Sequence, residues 1–278
     1  MSKKAIVIKD LLKFKYPENL QYSPSGKYLA FQVAEANTKN NDYDRTIWLK
    51  KDNEVKPFSE TGKVSLVFWD DDETMVITRP KEDDIPGTTT FYKLNVHGGE
   101  AQKWVTLPFG LAGIKKVQEG LYIATGMISV NDPDAYKDNE ENRKKKIEAK
   151  KKEKDYTVVD ELPYWFNGVG FINSMRTALF EVHIKDSKVS AKRITAKNFE
   201  VDNFLLDGKK VYYSGDVMNR KATMHTKIYS YNLSTKKITP IYTKPVYNFQ
   251  DLLVFKGQLY AQATDKFIKI INLYISRN

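Results

Sequence analysis

At 278 residues, with 41% hydrophobic and 13% aromatic side chains, the chain can bury a substantial core as one large domain or two ordinary ones. It contains no cysteine, which excludes disulfides, thiolate catalysis and cysteine-ligated metals and is compatible with a reducing compartment. The net charge of +10 does not describe a nucleic-acid face, because Arg143 to Lys154 (RKKKIEAKKKEK) holds eight basic and two acidic residues and so supplies +6 of it.

The opening MSKKAIVIKDLLKF lacks the apolar core of a signal peptide. No window approaches the ~18 apolar residues of a membrane helix. A soluble, cytoplasmic protein is expected. The 17 tyrosines and 14 phenylalanines favour strands.

The first element read along the chain is YSPSGKYLAFQV, Tyr22 to Val33, a turn followed by an alternating apolar run. Similar runs follow as DDDETMVITRP, VQEGLYIATGM, LDGKKVYYSGD and FKGQLYAQATD. Aligned on Leu29, Val76, Tyr122, Tyr212 and Tyr260, they are spaced by 47, 46, 90 and 48 residues. A second strand type trails each of the first four, aligned on Trp48, Tyr92, Phe180 and Tyr229 with spacings of 44, 88 and 49. The doubled interval falls in the same repeat both times, which places an insertion of about 45 residues inside repeat three.

A unit of about 45 residues with four short strands is a β-propeller blade, which hides its faces only by stacking on its neighbours. The expected fold is therefore all-β: a propeller of four to five four-stranded antiparallel blades, with a β-sandwich or barrel as the alternative. Blade one covers about 20–62, blade two about 63–108 and blade three about 109–196 with an insertion at 131–173; blade four covers about 197–245. The remainder, about 246–278, makes a partial fifth blade, so an incomplete propeller or fragment is expected. A closed five-bladed ring would need KKAIVIK near the N-terminus to complete its last blade. Gly26, Gly120, Gly208 and Gly257 lie where a tight turn needs positive φ, and repeat two has Asp70, Asp71 and Asp72 instead.

Within the insertion, NDPDAYKDNEENRKKKIEAKKKEK reads as an exposed charged helix, with Asn131 or Asp132 as its cap. Glu140 and Glu141 stand four residues before Lys144 and Lys145. The following ELPYWFNGVGF differs in character, because Tyr164, Trp165 and Phe166 in a row are costly to expose. They either pack the return from the insertion onto blade three or form an aromatic surface at a substrate cavity or domain interface.

Three stretches carry a family resemblance: IKDLLKFKYPENLQYSPSGKYLAF, ELPYWFNGVGF and RTALFEV. They resemble the N-terminal propeller of the prolyl oligopeptidase family of serine peptidases, in its acylaminoacyl-peptidase and dipeptidyl-peptidase branch. Ser25 departs from the aspartate usual in the family's turn. The resemblance implies a propeller that covers, gates and positions peptides for a C-terminal α/β-hydrolase domain with a Ser-Asp-His triad. It makes Glu161, Tyr164, Trp165 and Asn167 the candidate substrate-facing residues, with Glu161 pairing a peptide's α-ammonium.

No catalytic residue is expected in this chain. It has no Gly-x-Ser-x-Gly elbow, and His97, His183 and His225 are scattered through blade hairpins. Neither a cofactor nor a metal is expected, and the acid pairs Asp83-Asp84 and Asp160-Glu161 specify no chemistry. The implied partners are a peptide substrate and the missing hydrolase domain. Neither membrane nor nucleic acid is expected, and open blade edges invite self-association. A free-standing propeller acting as an interaction scaffold is the alternative.

Overall fold

The computed structural model describes residues 5–152, 155–167, 169–265 and 270–275. They fall into two compact units, Met1–Asp84 with Thr88–Leu107, and Ile85–Gly87 with Pro108–Asn278.

The first unit holds two four-stranded antiparallel sheets. Blade one is β1 (Lys15–Tyr22), β2 (Tyr28–Asn37), β3 (Asp42–Lys51) and β4 (Glu54–Pro57). Blade two is β5 (Ser65–Trp69), β6 (Thr74–Thr78), β7 (Thr89–Asn95) and β8 (Gln102–Leu107). Strand alternation turns Tyr28, Ala30, Ile47 and Leu49 of blade one toward Leu66, Met75, Ile77 and Tyr92 of blade two, and this shared layer is the core of the unit.

The second unit begins with blade three: β9 (Gly110–Gln118), β10 (Leu121–Ser129), and then, after the insertion, β13 (Met175–Lys185) and β14 (Lys188–Arg193). The insertion holds one helix, α1 (Glu140–Lys152), and a two-stranded hairpin, β11 (Trp165–Phe166) with β12 (Gly170–Phe171). Blade four is β15 (Phe199–Asp207), β16 (Lys210–Val217), β17 (Lys227–Asn232) and β18 (Ile238–Tyr242). The last sheet has three strands among the described residues, β19 (Asn248–Phe255), β20 (Gln258–Thr264) and β21 (Ile270–Ile275). In β16, Val211 and Tyr213 face blade three while Tyr212 faces the last sheet, so one strand serves two cores.

The five sheets are the expected blades. The first set of aligned residues falls on the second strand of each blade and the second set on the third strand. The insertion therefore leaves blade three at a hairpin end, and the pairing of β10 with β13 runs unbroken from Leu121↔His183 to Ser129↔Met175. All four turn glycines have positive φ, between 55° and 77°. At Gly120 space matters as well, because an added Cβ would stand 2.9 Å from the Ile184 carbonyl oxygen.

Each first strand carries one feature that periodicity does not reveal. Its pairing slips at a bulge, at 19–20 in β1, 67 in β5, 112 in β9 (which slips again at 117), 202 in β15 and 250 in β19. The bulges lie one repeat apart and free main-chain carbonyls for use between blades. Asn19 donates to the Leu66 carbonyl at 2.5 Å, and Asn203 to the Gln250 carbonyl at 2.7 Å.

Two expectations are corrected. Helix α1 is capped by Asn139, whose Oδ1 accepts from Asn142 N at 2.8 Å, and not by Asn131 or Asp132. Those two residues precede a short 3-10 turn, Ala135–Lys137, whose Tyr136 packs edge-on to Phe180 of β13. In KKAIVIK, Lys3 and Lys4 lie outside the described residues, and the chain enters a 3-10 helix at Ile8–Lys13, so its described part adds no strand to a sheet. The Glu140–Lys144 and Glu141–Lys145 pairs form at 2.5 and 2.6 Å.

Candidate functional site

The aromatic hairpin of the insertion is built on a buried charge. Arg176 lies near the start of β13, just before the buried apolar run Ala178, Leu179 and Phe180, and is 1% exposed. A guanidinium there requires a partner. Glu161 supplies it: Nη2 lies 2.6 Å from Oε1 and Nη1 3.0 Å from Oε2. Oε2 also accepts from Ser174 N at 2.8 Å, and Arg176 donates on to the carbonyls of Met175 and Met218. The arginine hydrogen bonds hold the Glu161 carboxyl below its ordinary value, against the opposing effect of burial.

This pair fixes where the hairpin starts. Leu162 N donates to Arg220 O at 2.7 Å and its carbonyl accepts from Ala222 N at 2.8 Å, which ties the segment to the loop after β16. Asn173 closes the base, its Oδ1 accepting from the amides of Asp160 and Glu161. Beyond that anchor the hairpin reaches into solvent. Tyr164 is 42% exposed, Trp165 49%, Phe166 52% and Phe171 58%, with Tyr164 stacked on Phe171. Asn167 is exposed at the turn.

Of the four candidate residues, Tyr164, Trp165 and Asn167 are all exposed along the hairpin. Glu161 lies apart from them, buried, with both its oxygens accepting hydrogen bonds from its own chain. Arg176, which anchors the hairpin through Glu161, is the residue that sequence reasoning passed over. Its signal was present, a cation inside the apolar run MRTALFEV.

A second cluster joins blades three and four. Buried Glu181 of β13 binds His183 Nε2 at 2.8 Å, Tyr231 Oη at 2.9 Å and Lys236 Nζ at 2.7 Å. Burial raises the Glu181 carboxyl, but Lys236, His183 and Tyr231 together outweigh it and hold the group below its ordinary value. Asp202, at the bulge of β15, goes the other way. Its side chain touches solvent, yet the surrounding protein limits its hydration; that loss, with repulsion from Glu200 and Asp216, pushes it up to about 7.

His97 lies 3.3 Å from Glu73 in blade two. No group of three or more metal-ligating side chains occurs among the described residues. No helix among them is long and apolar enough to cross a membrane.

No protein-family model matches the chain. The β-propeller domain of the trilobed protease from Pyrococcus furiosus superposes with a TM-score of 0.52 at 14% identity, over 94% of this chain and 71% of its own. Puromycin hydrolase superposes at 0.56 and 9% identity, over 94% of this chain and 36% of its own. The fold is the β-propeller that these peptidases carry. A curated relative, the uncharacterized peptidase YuxL of Bacillus subtilis, is 23% identical over 221 residues, spanning 77% of this chain and 32% of its own length. The propeller described here thus spans about a third of the curated relative it matches.

Proposed function

We propose that this chain is the propeller part of a cytoplasmic serine peptidase of the acylaminoacyl or dipeptidyl type, admitting and positioning peptides for an α/β-hydrolase domain outside it. The observation that carries the reading is the aromatic hairpin, held out in solvent by a buried ion pair. Exposed tyrosine and tryptophan offer large apolar faces at little entropic cost, and they suit peptide side chains of varied sequence. In this reading Tyr164, Trp165 and Asn167 meet the substrate, while Glu161 and Arg176 position them. The likeness to peptidase propellers supports the role.

The test is calorimetric titration of the full chain with tripeptides that carry an apolar second residue. Tyr164→Ala and Trp165→Ala are expected to weaken binding by roughly tenfold each, and Glu54→Ala, on strand β4 of blade one, to leave it unchanged. Absence of binding by any peptide, or equal binding by all four proteins, overturns the reading. The chain alone is expected to release no chromophore from aminoacyl or dipeptidyl nitroanilides, and turnover would show that it carries its own catalytic residues.

A further inference from the structure

A cavity of about 440 Å³ lies within the second unit, between α1 and the end of β10. That volume is in the range of small-molecule sites. Its floor is apolar and adaptable, formed by Met127, Ile128 and Met175. Its roof is α1, whose sequence EENRKKKIEAKKK has only two apolar residues, Ile147 and Ala149; both line the cavity. A helix otherwise covered in charge thus turns all its apolar side chains to one hollow.

The polar groups are unevenly satisfied. Lys146 bridges Asp132 and Asp138 at 2.7 and 2.6 Å, so the acids at the rim are already paired. Arg143 pins α1 down by donating from Nε to Asp138 O at 3.1 Å and from Nη1 to Pro108 O at 2.9 Å. Its Nη2 is buried and has no partner. A buried donor without an acceptor costs free energy, and neither of the groups that Arg143 does bond is a carboxylate. Burial correspondingly disfavours the charged form of this side chain. An anion at Nη2 would relieve both.

We propose that the cavity beneath α1 binds a small amphipathic carboxylate, with its tail over Met127, Ile128 and Met175 and its carboxylate on Nη2 of Arg143. The surface is separate from the aromatic hairpin and does not rest on the peptidase reading. An uncharged ligand of the same shape leaves Nη2 unpaired, and a phosphate without a tail leaves the floor uncovered.

The experiment is calorimetric titration of the full chain with octanoate, 1-octanol and inorganic phosphate. Octanoate is expected to bind one per chain, at least about tenfold more tightly than octanol, with no measurable phosphate binding. Arg143→Gln is expected to reduce octanoate affinity to that of octanol. Because that variant also unpins α1, Ile147→Trp serves as a second probe. It fills the cavity from an exposed helix without touching a pin, and it is expected to abolish binding of both tailed ligands. No octanoate binding, equal binding of octanoate and octanol, or undiminished binding in Ile147→Trp overturns the proposal.

Discussion

Between blades one and two the buried polar contacts are amides and main-chain groups. The Gln32 side-chain oxygen, 3% exposed as a residue, accepts from Asn19 Nδ2 at 2.9 Å and from Leu66 N at 3.0 Å, while Trp69 Nε1 donates to Gln21 O at 3.1 Å. Where blades three and four meet, the contacts are ionised: Lys236 of blade four binds Glu181 of blade three, and Arg176 of blade three, paired with Glu161 of the insertion, donates to the Met218 carbonyl after β16. The apolar layers beside them are built alike from alternating strand residues. Losing a neutral hydrogen bond at a seam strands a polar group but no charge, so the penalty is smaller than for an ion pair. Buried charges contribute little when complete and cost a great deal when halved. The ionic seam is also the one that carries the insertion, so the hairpin is placed by the contacts most sensitive to loss.

The largest effect expected from breaking this contrast is at Arg176. Arg176→Met leaves Glu161 buried and unpaired, and urea unfolding is expected to show a loss of about 3–5 kcal/mol. Adding Glu161→Leu is expected to restore most of it, since the second charge then goes too; a double variant no better than the single would show that the arginine acts through its carbonyl contacts instead. At the neutral seam, Gln32→Leu strands two donors and is expected to cost about 1–3 kcal/mol, with the same loss at pH 5 and pH 8.

Acid sharpens the comparison further. The folded-state carboxyls of Glu161 and Glu181 are both held low. Their contribution is therefore present above the ordinary glutamate range and lost as the pH falls through it toward the folded values. Amide exchange is expected to show Ala222, bonded to the Leu162 carbonyl, losing protection on acidification before Leu66, bonded to Gln32. Simultaneous loss would mean that the charges do not set the order.

The smallest effect has the opposite sign. With its carboxyl raised to about 7, Asp202 binds its proton more readily in the folded state, and stability declines as the pH rises toward that value. Asp202→Asn is expected to stabilise at pH 8 by about 0.2–1 kcal/mol, the scale of cross-strand charge repulsion. At pH 4 thermal melting is expected to show no gain.

Much of the fold was legible because blades repeat. Leu29, Val76, Tyr122, Tyr212 and Tyr260 mark equivalent strands, and turn glycines such as Gly120 stand where only positive φ fits. The insertion was legible as a doubled interval. The site was legible in part. Tyr164 and Trp165 were visible as aromatics without a place in the strand pattern, and they are indeed exposed. The partner of Glu161 was not legible because ion pairing depends on distance in space. Its partner lies 15 residues away, across a hairpin whose course no local pattern gives. The bulges were invisible for a similar reason: one extra residue in a strand shifts pairing without changing composition.

Those bulges couple two of the blade pairs in the same way. The donor Asn19 and its acceptor Leu66 are 47 residues apart, and so are Asn203 and Gln250. In blades one and four the same position thus carries an asparagine that reaches a main-chain carbonyl of the next blade. Shifting β1 or β15 by a single residue would break that reach, because the spacing of donor and acceptor is one whole repeat.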